Sequence, residues 1–374
     1  MEKLVLINGA SGFLGTHCVR EALAAGWKVR ASDLGPKPSP DLAALGVEYV
    51  QADLTDLSQA KKITFGCTHV INVAGLFRFD ATKEQLYRAN VLATRHMCQA
   101  ALEAGVERFV HVATIGVYGR LPRNKKVKES YRKSPKNDYE LTKKQGEDVA
   151  LSFWKRQGLP VVSLRPTVIY GPGSRYAVAW MIALFSMMRV LGTKEGYAVK
   201  GLSDMCHVHV ADVARALAWL LDHGKLGEAY NCADETPLAW GDLLHFLMGE
   251  FGIGAKRIIP MPKAISQPLG SLLQLIPDKT LKDLNARIAK GWQVVERKYG
   301  VSPYLAPQLD REFLSYGQRD HLMDTSKLRE TGFRLQYPDT REGLRQTIAW
   351  YREKGWIPGE KAAAPPSEKR AAGA

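Results

Sequence analysis

"LVLINGASGFLGTH", residues 4–17, runs an apolar stretch straight into three glycines spaced three apart, Gly9, Gly12 and Gly15. The run Leu4 to Asn8 is continuous and short, the pattern of a strand buried on both faces. Beyond the glycines, "LGTHCVREALAAG" carries an apolar period of three to four, the pattern of a helix with one buried face. A glycine loop between strand and helix allows a tight turn and close backbone approach to a ligand. The helix start behind it offers free N–H groups and the positive end of the helix dipole, a fit for a pyrophosphate. Three spaced glycines alone are also an ordinary turn; their place between strand and helix makes the phosphate reading specific.

The same alternation continues outward. "WKVRASD", "VEYVQAD", "HVINVAG", "RFVHVAT" and "PVVSLRP" read as further strands, and "EQLYRANVLATRHMCQAALEAG" as a long amphipathic helix ending at Gly105. Strand and helix in repetition predict an α/β fold, a doubly wound parallel sheet with helices on both faces. The regularity fades after about residue 172. The expected division is a dinucleotide-binding domain over 1–172 with later strands from about 200–235, a mainly substrate-binding domain over 173–358, and a disordered tail over 359–374, where Ala, Pro and charge replace bulky apolar residues.

Composition narrows the class. The chain has 374 residues, 45% hydrophobic and 24% charged, enough for one large or two modest domains. It contains no run of about 18 uncharged apolar residues, so no membrane span is expected. The start, "MEKLVLINGA", enters a strand without a signal-peptide block, and a cytoplasmic place is expected. Five scattered cysteines without a C-x-x-C read as core residues in a reducing compartment. His207 and His209 share one strand face, but no third ligand completes a set, so no metal is expected. The net charge of +14 suits an anionic partner.

Asp33 closes the second strand, eighteen residues past Gly15. A carboxylate there bonds the adenosine ribose hydroxyls and repels a 2′-phosphate, which favours NAD; Arg30 and Lys37 nearby leave NADP open. Asp53, after the third strand, suits either an adenine contact or a helix N-cap. Ala74 and Gly75 are small enough for backbone to line a dinucleotide.

"DYELTKK", residues 138–144, holds the only one of fourteen tyrosines with lysine four places on, Tyr139 and Lys143. Together "NGASGFLG", "ADL", "NVAG", "NVLATRHMCQAA", "VHVATIGVYG", "YELTK" and "LRPTVIYGPG" resemble the extended short-chain dehydrogenase/reductase family, also described as NAD-dependent epimerase/dehydratase-like. The resemblance covers roughly residues 1–235, with a weaker element, "DTSKLRETGF", at 324–333. It implies a Rossmann-type domain with a smaller C-terminal α/β substrate domain and an oxidoreductase activity; a homodimer is one of the assemblies the sequence leaves open. It implies Thr114, Tyr139 and Lys143 as the catalytic set, with Asn90 either ordering the site or merely packing. Tyr139 would move a proton as hydride crosses to or from the nicotinamide, and Lys143 would lower its pKa and hold the nicotinamide ribose. It further implies cofactor contacts from Gly9, Ser11, Gly12, Phe13, Leu14, Gly15, Asp33, Asp53, Leu54, Ala74, Gly75 and Pro166, besides Tyr139 and Lys143, and substrate contacts from Arg165, Thr167, Val168 and Met181.

Departures from the family point to the substrate. Nucleotide-sugar members typically show an Asn where Val168 stands and an Arg where Met205 stands, and without a bidentate Arg a diphosphate is poorly held. Arg165 or Arg175 could compensate, and Arg165 could equally be a structural ion-pair partner. "AVAWMIALFSMM", residues 177–188, is uncharged for twelve residues and reads as a buried helix or as a wall over a lipophilic substrate. In character the chain is nearest the 3β-hydroxysteroid dehydrogenase branch. The expected function is interconversion of a secondary alcohol and ketone on a lipophilic, steroid-like small molecule. A nucleotide-sugar epimerase or dehydratase, and a non-catalytic dinucleotide sensor, are the alternatives.

"RLPRNKKVKESYRKSPK", residues 120–136, carries eight Lys/Arg against one Glu. It reads as a solvated loop, a grip on an anionic substrate, or a peripheral contact with an anionic membrane, joined by the apolar stretch 260–277 whose only charge is Lys263. No nucleic-acid-binding signature accompanies the charge, so nucleic acid is not an expected partner.

Overall fold

The computed structural model describes residues 3–78, 81–311 and 320–359. Most of the expected tail and two short internal stretches lie outside the described residues. The chain divides into two compact units: residues 1–169, 206–235 and 322–338 form the first, and 170–205, 236–321 and 339–374 the second.

The six expected strands are present in the first unit as β1 (Leu4–Asn8), β2 (Lys28–Asp33), β3 (Glu48–Gln51), β4 (His69–Asn72), β5 (Arg108–Val112) and β6 (Val161–Pro166). A seventh, β7 (Ala229–Cys232), completes one sheet in the order β7-β6-β5-β4-β1-β2-β3. Its pairings are parallel throughout. The strand order reverses between β1 and β4, and the crevice at their carboxyl ends is where such sheets bind ligands.

Both faces are covered, which is why the strands are apolar on both sides. Val5, Ile7, Ile71, Val110 and Val162 share one core with α1 (Phe13–Ala24) and a helix over Val210–Trp219. Leu6, Val70, Phe109 and Val161 share the opposite core with α2 (Leu57–Thr64) and α3 (Ala93–Glu103). All five cysteines are buried and none is in a disulfide.

The helix expected to run unbroken before Gly105 is interrupted. An α-turn over Lys83–Tyr87 passes through a π-helical turn, Arg88–Leu92, before α3 resumes the regular pattern. Such turns re-aim side chains and gather at functional sites; Asn90 sits in this one. By contrast α4 (Asp138–Gln157) is regular and well capped: the Asn137 side chain accepts from Glu140 N–H, and Gly158 closes it with φ 77°.

Residues 322–338 lie in the first unit, although the expected substrate domain ran over 173–358. Polar pairings bring them there. Asn231 Nδ2 donates to the Asp324 carbonyl, Lys327 pairs with Glu228 at 2.8 Å, and the buried Asp212 carboxylate accepts from the backbone of Gln336 and Tyr337.

The second unit packs around the helix Val178–Val190. Met181, Ile182, Phe185 and Met187 are buried there with Trp292, Ile348 and Tyr351. The twelve-residue uncharged run is therefore core over most of its length. Lys263 forms ion pairs with Asp204 and, at 3.6 Å, with Asp320.

Candidate active site

The glycine loop follows from β1. Gly9 takes φ +65°, and a Cβ there would meet the Ala74 backbone at 2.8 Å. A Cβ on Gly15 would strike the Gly9 carbonyl, so the helix can start this close to the loop only with glycine. Gly12 is the N-cap of α1 and, with no side chain, leaves the first turn uncapped. Backbone N–H groups thus face the switch point, a surface fit for a pyrophosphate. Leu14 is buried on α1 and Phe13 is half-buried, its ring edge-on to His17.

Asp33 is tied to this loop. Its Oδ2 accepts from Ser11 N–H at 2.9 Å, and its Oδ1 from Leu34 N–H at 2.7 Å. The carboxylate is held at the end of β2, where a ribose would meet it. Arg30 is spent elsewhere, bonded to Glu48 and to the carbonyls of Ile63 and Phe65. That removes Arg30 as a support for a 2′-phosphate and leaves exposed Lys37. Asp53 is not the N-cap of α2; Asp56 fills that role. Asp53 instead closes a local turn, accepting from Thr55 N–H and Oγ1 at 2.8 Å each. The Leu54 side chain is buried in the core beside α2 and α3.

Beyond β4, the Ala74–Leu76 backbone is held by side chains. Asn8 Oδ1 accepts from Ala74 N–H at 2.8 Å, and Asn90 brackets Leu76, accepting from its N–H at 2.8 Å and donating to its carbonyl at 3.2 Å. Asn90 Nδ2 also donates to Thr142 Oγ1 at 3.2 Å, so the π-turn orders the start of α4.

Lys143 projects from α4 to the same place. It is buried, and its Nζ donates to the Val112 carbonyl at 2.7 Å. Burial pushes its pKa down to about 8, against the opposing pull of Glu147 one turn on. Glu147 is wholly buried; burial alone would raise its pKa, but the Arg165 guanidinium beside it and then Lys133 hold it at about 2. Arg165 is consumed by this role: it bonds both Glu147 oxygens, the Tyr118 hydroxyl and the Glu129 carbonyl.

Tyr139 is half-buried one turn before Lys143. The expected lowering of its pKa by Lys143 is not what the geometry produces. Burial pushes the phenol up, the nearby Glu140 adds to this, and a hydrogen bond with Thr114 pulls the other way. Thr114 lies two residues beyond β5 as the N-cap of a short 3₁₀ turn, its Oγ1 accepting from Gly116 N–H at 3.2 Å. Phe77, which sequence reasoning passed over, lies edge-on to Tyr139 with centroids 4.9 Å apart and is 40% exposed. Nothing in the spacing of Phe77 marks it; only the strand-end loop brings it to Tyr139.

Of the remaining candidates, Pro166 ends β6, and Thr167 N–H bonds the Cys232 carbonyl at 3.0 Å. Val168 is half-buried and Met181 lies in the second unit's core. Among the described residues no cluster of His, Cys, Asp and Glu could hold a metal.

A glycine-loop crevice at a sheet switch point, flanked by a Thr-Tyr-Lys set, defines a nicotinamide-dinucleotide enzyme of the extended short-chain type. The chain belongs to the NAD dependent epimerase/dehydratase family, which matches residues 5–233. It is 30% identical over 255 residues to a 4-hydroxy-2-methyl-3-oxo-4-farnesyl-3,4-dihydroquinoline-1-oxide ketoreductase of Stigmatella aurantiaca, covering 67% of this chain and 74% of that one. It is 26% identical to 3beta-hydroxysteroid-dehydrogenase/decarboxylase isoform 2 of Arabidopsis thaliana, covering 93% of this chain but 62% of that longer protein. The crystal structure of the dTDP-glucose 4,6-dehydratase DesIV of Streptomyces venezuelae, with NAD and TYD bound, superposes with a TM-score of 0.68 at 23% identity, covering 96% of this chain and 99% of that one. That likeness is one of fold. The family is NAD-dependent, and the glycine loop and Asp33 of this chain fit that cofactor.

Proposed function

We propose that this protein interconverts a secondary alcohol and a ketone on a lipophilic small molecule, with NAD as hydride carrier. The observation that carries the proposal is the convergence of Thr114, Tyr139 and Lys143 on the crevice beside Ala74 and Gly75. NAD, when bound, accepts or returns the hydride. Thr114 orients the substrate oxygen by hydrogen bonding. Tyr139, a neutral phenol near pH 7, gives its proton to that oxygen in reduction and takes it back in oxidation. Lys143 holds the ribose side of the cofactor, and the Thr114 hydrogen bond is what eases loss of the Tyr139 proton.

Three observations favour a lipophilic substrate. Arg165, the candidate clamp for a diphosphate, is committed to Glu147. Phe77 sets an exposed apolar ring against the reacting phenol. A farnesyl-bearing ketone and a 3beta-hydroxysteroid stand in the names of the two relatives described above.

Lipophilic substrates are scarce in water, and the proposal extends to their collection from an anionic membrane. On the helix Lys263–Gln274, Ile265, Pro268 and Leu272 fall on one face and are exposed, and Leu275 continues the row at 76% exposure. The following helix, Asp278–Tyr299, exposes Lys279, Lys282, Lys290 and Arg297 along its outer face. An apolar row followed by a basic one suits reversible interfacial binding. In the basic loop Lys125, Lys126 and Lys128 are exposed, while Lys133 is paired with Glu147 and Asp148.

The experiment is a panel of sterols, isoprenoid ketones and nucleotide sugars, followed by reduced-cofactor absorbance and product chromatography. Net cofactor turnover with a lipophilic alcohol or ketone supports the proposal. Conversion of a nucleotide sugar with no net turnover refutes it.

A further inference from the structure

One row of the sheet is polar where its neighbour is apolar. The β strands place Leu6, Val70, Phe109 and Val161 in register across β1, β4, β5 and β6. Two residues on, towards the carboxyl ends, the same face carries Asn8, Asn72, His111 and Ser163 in register. All four are 2% exposed or less. Four adjacent polar side chains inside a sheet core are costly unless they bond one another.

The first three bond in a directed chain, and the buried His111 Nε2 makes no bond onward to Ser163. Asn8 Nδ2 donates to Asn72 Oδ1 at 2.7 Å, and Asn72 Nδ2 meets His111 Nδ1 at 3.1 Å. The direction is set at the far end. Ala74 N–H can only donate, so Asn8 Oδ1 must accept it, and each amide in turn must present its NH₂ to the next residue. His111 Nδ1 therefore accepts and its proton sits on Nε2. Ser163 ends the row by donating to Glu147 Oε1 at 2.8 Å.

The row underlies the crevice at each point where backbone lines it. Asn8 precedes Gly9, whose loop packs on Ala74. A Cβ on Gly75 would lie 3.7 Å from Lys143 Nζ. Val112, which follows His111, supplies the carbonyl that holds Lys143.

We propose that His111 is a positioning residue for cofactor binding: acting through Asn72 and Asn8, it sets the Ala74–Gly75 backbone against the phosphate loop. Its useful property is a fixed acceptor at Nδ1. A ring protonated on Nδ1 would face the Asn72 NH₂ with a second donor, and the reversal would pass along both amides to Ala74 N–H. Burial and then the Lys143 charge push the His111 pKa down to about 3, which keeps the ring neutral.

The test is calorimetric titration of NAD into the purified protein and its variants, with melting temperatures measured alongside. The inference rests on the cofactor reading, and wild-type protein that fails to bind NAD sinks both. With binding established, His111→Leu is expected to raise the NAD Kd about tenfold or more, a loss of about 1.4 kcal/mol. His111→Asn, whose Oδ1 stands two bonds from Cβ as Nδ1 does, is expected to restore most of the affinity, and the longer His111→Gln, whose amide falls at the Nε2 position, is not. The Asn and Gln variants decide the matter even where the Leu variant fails to fold. Val161→Ala, in the apolar row of the same face, controls for softening of the sheet. Equal Kd values for the Asn, Gln and wild-type proteins overturn the proposal. So does an equal loss of affinity in Val161→Ala at a matched melting temperature.

Discussion

Lys143 should leave a measurable mark on the stability of the protein. Its ammonium is buried at 7% exposure, and burial lowers its pKa from an ordinary 10.5 to about 8. The gap, at about 1.4 kcal/mol per pH unit, amounts to about 3 kcal/mol of folding free energy. The folded pKa is the lower one, so the cost is fully present below pH 8. Between about 8 and 10.5 the unfolded chain binds more protons than the folded one, and stability rises with pH. Lys143→Met keeps the length of the side chain without the charge. The assay is urea denaturation of both proteins from pH 7 to pH 10.5, taking the difference at each pH so that other titrating groups cancel. Wild type should gain on the variant by up to about 1.4 kcal/mol per pH unit above pH 8, reaching about 3 kcal/mol. The loss of the bond to the Val112 carbonyl offsets the two curves by a constant and does not change their divergence. Parallel curves would refute the reasoning, since they would mean that Lys143 titrates as an exposed lysine does.

Tyr139→Phe should fold and bind NAD normally yet turn over at least about 100-fold more slowly, as steady-state kinetics would show. Asp33→Ala should narrow or invert the preference for NAD over NADP, because the carboxylate held by Ser11 repels a 2′-phosphate; titration of both cofactors measures it. The protein should sediment with vesicles rich in anionic lipid at low salt and release as salt rises. Leu272→Ser with Leu275→Ser should weaken that binding while leaving activity on a water-soluble analogue intact. Neutralising Lys125, Lys126 and Lys128 separates the loop's share; Lys133 is best left in place, because its partners Glu147 and Asp148 would lose it.

The parts legible in the sequence were those governed by local rules. "LVLIN" can be only a buried strand or a short helical piece, and the glycines behind it decide for the strand. Gly9 and Gly15 signalled their own close contacts, because no other residue fits them. Tyr139 and Lys143 were visible as one helical turn. What escaped depends on contacts between distant segments. The π-turn at Arg88–Leu92 does not show in an apolar pattern that reads as one helix. Glu147 sits four residues after Lys143, a spacing that could have flagged it, but its bond to Arg165 needs the sheet to be folded. Asp53 and Asp56 are equivalent as letters, and only the observed turn separates the N-cap from its neighbour. The polar row of Asn8, Asn72 and His111 spans three strands, and each member alone looks like an incidental polar residue in a strand.

The most direct measurement of the proposed chemistry follows the hydride itself. A lipophilic secondary alcohol carrying deuterium on its carbinol carbon is incubated with NAD and protein, and the cofactor and product are recovered for mass spectrometry. The expected result is one deuterium in the reduced cofactor for each ketone formed, with the yield falling about 100-fold or more in Tyr139→Phe. Deuterium retained in a rearranged or dehydrated product, with no net reduced cofactor, would contradict it.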